Sequence, residues 1–74
     1  MGDVIFDYRK LKGQIKEKFD TQDRFADAIG IGRVSLSQRL NNKLEFSQKE
    51  MFTACDALGV PYSMIPEYFF TVEV

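Results

Sequence analysis

Apolar residues recur along the chain at helical spacings, separated by short polar connections. Tyr8, Leu11, Ile15 and Phe19 fall three and four apart, which puts them on one face of a helix predicted from about Asp7 to Lys18. Asp7 is its expected N-cap, and Lys16 and Lys18 suit the negative end of the helix dipole. Gly13, in the middle, costs about 1 kcal/mol relative to Ala, a cost that close approach of another backbone would explain. A second, short helix has Thr21 as cap, Phe25, Ala26 and Ile29 as its inner face, and Gly30 as the left-handed residue that ends it. A third runs from Arg33 to about Leu40, with Leu36 and Leu40 buried together and Asn41-Asn42 as a stop, since Asn tolerates the left-handed region.

Ser47-Gln48-Lys49-Glu50 reads as a capping box. It opens a fourth helix whose inner face is Met51, Phe52, Cys55 and Leu58, closed by Gly59. Pro61 at a first helical position opens a fifth segment through Met64 and Ile65, interrupted by Pro66. Phe70 to Val74 alternates as a short strand would, and so does Val4-Ile5-Phe6. Five short helices with brief connections, no repeat and no linker predict an all-α fold, with residues 1–74 forming a single domain.

Composition narrows the function. With 74 residues, 45% of them apolar and including seven Phe and three Tyr, the chain can form a core without a second lobe. No apolar run approaches the ~20 residues of a membrane span. Met1 to Phe6 carries Asp3 in place of a basic, then apolar, leader, so a cytoplasmic protein is expected. The lone Cys55 and the lack of histidine argue against a disulfide, a metal site or any other cofactor. Cys55 lies on an apolar face, where a thiol is structural. Asp23 and Asp27, four apart, read as surface solvation. No acid/base pair stands out, so neither an enzyme nor a small-molecule ligand is expected.

Net charge is −1, yet it is unevenly spread. Between Arg33 and Lys49 the charges are Arg33, Arg39, Lys43 and Lys49 against Glu45; from Glu50 onward there are Glu50, Asp56, Glu67 and Glu73 with no Lys or Arg. A basic middle and an acidic tail are compatible with one face on a polyanion, and equally with an ordinary solvated surface.

Gly30-Ile31-Gly32 has the beginning of a dinucleotide-binding fingerprint, but that motif needs a preceding strand and a βαβ unit, and its third glycine position is Ser35. Helix, glycine turn, helix is what remains. Ala26 is small where the two helices approach, Gly30 is free to take positive φ, and Ile29, Ile31 and Leu36 fill the corner. This is a helix-turn-helix over about residues 22–41, with its second helix able to enter a major groove.

The segment TQDRFADAIGIGRVSLSQRLNNKLEFSQKEMFTACDALGVP resembles the Cro/CI-type, XRE-like helix-turn-helix domains of phage and prophage repressors. Through IPEYFF the chain is similar to short Cro-like phage proteins, the likeness covering roughly residues 7 to 70. It implies a five-helix lambda-repressor-like domain that binds double-stranded operator DNA, as a homodimer, to regulate transcription. By the same resemblance Gln22 binds a phosphate and braces the third helix, while Arg33, Val34 and Gln38 meet base edges with Ser35 and Ser37 beside them. Asn41, Asn42 and Lys43 touch the DNA backbone. Arg, Gln and Val suit guanine, adenine and the thymine methyl, respectively.

Three positions depart from the family pattern, one of them conservatively, since Asn42 replaces a common Gly. Gly32 stands where a Ser or Thr cap is common, and Arg39 where an apolar residue is common, so Arg39 either reaches a phosphate or marks a rotated helix. The apolar tail, residues 67–74 with Phe69, Phe70, Val72 and Val74, is a candidate dimer contact. It serves equally well to cover its own core or to pair with residues 4–6. A protein-interaction module that keeps the fold, as an antirepressor or adaptor, is the alternative function.

Overall fold

The computed structural model describes residues 4–73. Helix α1 spans Arg9–Phe19 and buries Leu11 and Ile15 on the predicted stripe, with Tyr8 buried just ahead of it. It starts later than the pattern predicts. Tyr8 occupies the N-cap and makes no side-chain cap bond; Asp7, one residue earlier, accepts the Arg9 amide at 2.9 Å instead. Gly13 meets nothing, since a Cβ built on it has no neighbour within 4 Å, so the expected close backbone approach is not there. The C-cap is Asp20 at φ 70°, tied by its carboxylate to Lys16 at 3.0 Å.

Helix α2, Gln22–Ile29, is capped by Thr21, whose hydroxyl accepts the Arg24 amide at 3.1 Å. Gly30 ends it at φ 77°, and the Ile31 amide reaches back to the Ala26 carbonyl at 3.0 Å, a Schellman closure. Helix α3, Arg33–Leu40, begins at Gly32 with no side-chain cap and buries Leu36 and Leu40 against α2. Asn42 takes the left-handed conformation, φ 62°, and the Lys43 amide closes the turn on the Gln38 carbonyl at 2.8 Å.

Helix α4, Gln48–Leu58, carries both halves of the capping box: Ser47 Oγ accepts the Glu50 amide, and Glu50 accepts the Ser47 amide at 2.9 Å. Its inner stripe is Met51, Ala54, Cys55 and Leu58. Phe52, expected on that stripe, lies one residue and thus about 100° round from Met51. It faces outward and packs edge-on against Tyr62, ring centroids 4.7 Å apart. A 3₁₀ turn, Tyr62–Met64, leads into α5, Ile65–Phe69. Pro61 precedes that turn and does not open a helix. Pro66 falls in the first turn of α5, where the missing N–H is no loss, so it helps start the segment it was expected to interrupt.

Tyr8, Phe46 and Phe69 stack edge-to-face through the middle of the core, with centroid separations of 5.5 and 5.0 Å. Among the described residues the expected terminal strands reduce to one antiparallel bridge, Phe6 with Val72. Val74 of the expected tail lies outside those residues. Among the described residues the fold is all-α, five helices and a 3₁₀ turn, and none of these helices is long and apolar enough to cross a membrane.

Candidate nucleic-acid interface

The α2–α3 corner sets the site. Phe25 and Ala26 on α2 and Leu36 and Leu40 on α3 are buried, so the positions of α3 off that stripe, Arg33, Val34 and Ser37, turn outward. Val34 is 71% exposed, Arg33 and Ser37 are exposed, and Ser35 and Gln38 are half-buried at the edges of this face. Arg33, Val34, Ser37 and Gln38 thus form the outer surface of α3, and Gln22 lies exposed at the first position of α2. Among the described residues Gln22 forms no hydrogen bond to α3.

The electrostatics of this face differ from the count of cations in the sequence. Arg33 pairs with Asp23 of α2, Nη1 to Oδ2 at 3.5 Å, with both side chains more than half exposed; such a pair is weak and readily exchanged for another partner. Arg39 is another matter. Its Nε and Nη2 donate to the two Glu50 oxygens at 2.9 and 3.2 Å, and its Nη1 donates to the Ser35 carbonyl at 2.9 Å. Both side chains are only 17% and 20% exposed. Burial pushes the Glu50 carboxyl up, but the Ser47 amide and the Arg39 guanidinium outweigh it and hold it below the usual range. Arg39 therefore neither reaches out towards a phosphate nor signals a rotated helix; it turns inward to bind α3 to the first turn of α4.

The loop after α3 is also partly engaged. Asn41 Nδ2 donates to the Ser37 carbonyl at 2.9 Å and lies 3.3 Å from Ser37 Oγ. Asn42 is directed away from the outer surface: its Oδ1 accepts the Phe6 amide at 2.8 Å and its Nδ2 donates to the Phe6 carbonyl at 3.0 Å. The side chain expected to touch a DNA backbone thus holds the N-terminal segment, because a carboxamide presents the same donor–acceptor pair as a neighbouring strand. Lys43 remains exposed and, among the described residues, makes no ion pair, and the same holds for Lys49.

Asp23 and Glu50 were not singled out as parts of this site. Glu50 is marked in sequence by the capping box, but nothing in the spacing reveals its second role on Arg39. Asp23 reads as surface solvation until the corner brings α2 beside Arg33. Cys55 is buried, and burial pushes its thiol up, away from the reactive thiolate. Among the described residues no group of three or more His, Cys, Asp or Glu side chains is placed to hold a metal ion.

The chain is similar to a solved structure, the solution structure of the modulator of repression of the temperate bacteriophage TP901-1 from Lactococcus lactis. The two are 38% identical over 88% of each chain, with a TM-score of 0.78. No curated protein matches. With a family model that matches residues 4–72, the chain belongs to the family described as "Protein of unknown function (DUF739)".

Proposed function

We propose that this chain is a phage or prophage transcriptional regulator whose working surface is the outer face of α3, and that this face reads double-stranded operator DNA. The observation that carries the reading is the exposure of Val34 and Ser37, with half-buried Gln38 at the edge of the same face, on a helix held at a glycine-turned corner, with the uncommitted Lys43 at its far end. Base-edge readers in the middle and a backbone-binding cation at the end form the arrangement a major groove needs. The likeness to a phage protein titled a modulator of repression supports the regulatory part. In this reading the protein acts in the cytoplasm by occupying its operator, without catalysis, cofactor or small-molecule ligand. Two copies would serve half-sites about 34 Å apart.

A second reading has its own support. Arg33 and Arg39 both carry carboxylate partners, Asp23 and Glu50, which leaves this face nearly neutral and apolar at Val34. Such a face suits another regulator's surface, as in an antirepressor or adaptor. Selection of bound sequences from a random DNA pool separates the two. Recovery of a shared motif, with affinity falling steeply as salt rises, supports the operator reading. Failure to enrich any sequence rejects it and favours a protein partner.

A further inference from the structure

A small cup opens beside the loop between α3 and α4. Its floor is aromatic: the buried rings of Tyr8, Phe46 and Phe69, stacked edge-to-face, line it. Val4, Leu44 and Phe70 line it too and, at 47–60% exposed, form its rim. Phe70 enters from the two-strand ribbon that the chain ends form at the Phe6–Val72 bridge. Among the described residues a single charged side chain lines this apolar space, Glu45. It is exposed and makes no ion pair among those residues. The Tyr8 hydroxyl is open as well. It makes no hydrogen bond among the described residues, yet no fully buried side-chain polar atom lacks a partner, so it is reached from outside. Burial pushes that hydroxyl up and the Glu45 charge adds to the effect, so carboxylate and hydroxyl bear on the same space.

We infer that this cup receives one arginine side chain of a partner protein, its methylene stem against the aromatic floor and its guanidinium on Glu45. At about 270 Å³ the cup is smaller than the ~300–1,000 Å³ that drug-sized ligands and cofactors occupy. One long side chain suits it. A purely apolar occupant would cover the Glu45 carboxylate without giving it a partner, which is costly. Aromatic faces attract cations, and a long cationic side chain buries its stem while its head stays at a polar edge. Arginine fits better than lysine, because its planar fork stacks on rings and pairs with a carboxylate through two bonds, whereas an ammonium is more strongly hydrated. The rim points to a protein as the source. Val4, Leu44 and Phe70 would stay wet around a free guanidinium compound, but a partner surface covers them and excludes water from the contact. The partner rests on the protein-interaction reading; the cup and its chemistry do not.

Amide NMR titration of the full chain at low salt tests the proposal with four probes: blocked arginine, its neutral isostere blocked citrulline, blocked norleucine, and a blocked tripeptide with arginine between two leucines. Arginine should shift the Leu44, Phe46 and Phe70 amides, citrulline and norleucine should bind more weakly, and the tripeptide should bind most tightly because its leucines reach the rim. Glu45→Gln, an exposed change that should leave the melting temperature in place, should weaken the arginine probes by about fivefold and leave norleucine as it was. Norleucine binding as well as arginine, shifts scattered away from the cup, or a Glu45→Gln that holds arginine undiminished overturns the proposal. Blocked arginine binding as tightly as the tripeptide overturns the protein source. A chain that binds the tripeptide and also selects a DNA motif overturns the protein-interaction reading alone; one that selects no DNA and binds none of the probes overturns the cup alone.

Discussion

Arg39 and Glu50 meet in a two-pronged ion pair, and the same Glu50 oxygen that accepts Arg39 Nε at 2.9 Å also accepts the Ser47 amide at 2.9 Å. One carboxylate therefore starts α4 and steadies α3. Because α3 otherwise packs chiefly on α2, this pair fixes the angle at which the outer face of α3 is presented.

Arg39→Ala should destabilise the fold by about 1–3 kcal/mol, the usual cost of losing hydrogen bonds to a half-buried charged group. Glu50→Gln should lose the ion pair while keeping part of the cap, and a double-mutant cycle in urea should report coupling between the two positions. The Glu50 carboxyl is held below its ordinary value, so its contribution is complete above the unfolded pKa of about 4.3 and is lost as pH falls through the folded value. Coupling that is undiminished at acid pH would show that charge is not its source.

Asp7 gives a second acid-sensitive contact. Hydrogen bonds from the Arg9 side chain and amide hold its carboxyl down to about 2. Its stabilisation should be complete above about 3.9 and fade as pH falls towards 2. Carboxyl-carbon NMR titration should return Asp7 towards the ordinary range in Arg9→Ala.

Two glycine substitutions should have opposite signs. Added Cβ atoms at Gly13 and Gly30 both enter open space, but Gly30 sits at φ 77°. Gly13→Ala should stabilise by about 0.5–1 kcal/mol through helix propensity. Gly30→Ala should cost about 1–2 kcal/mol for the left-handed conformation. Thermal melts of both decide the matter.

On selected DNA, Gln38→Ala should relax preference at one base pair by about 1–3 kcal/mol. Lys43→Ala should weaken all sequences alike and lower the salt slope by about 1. Equal loss on every sequence from both changes would remove Gln38 from base reading.

The helices were legible in the sequence because their signals are local: Thr21, Gly30, the Ser47–Glu50 box and Gly59 act within a turn of where they stand. The α2–α3 corner was legible for the same reason. The roles of Arg39 and Asn42 were not, since their partners lie 11 and 36 residues away and their side chains read equally well as DNA contacts. Phe52 was misplaced by one position of helical phase, and Pro66 by a start of α5 that the preceding 3₁₀ turn delays.

The Asn42 clip also bears on the order of folding. The Phe6 backbone is satisfied only when the N-terminal segment reaches a loop 36 residues away, and the ribbon closes only when residues 5 and 73 meet. These contacts have the greatest loop entropy to overcome. The Phe6 amide should therefore report whole-chain closure: in pulsed hydrogen exchange it is expected to gain protection last, after the local caps of α2 and α4 have formed.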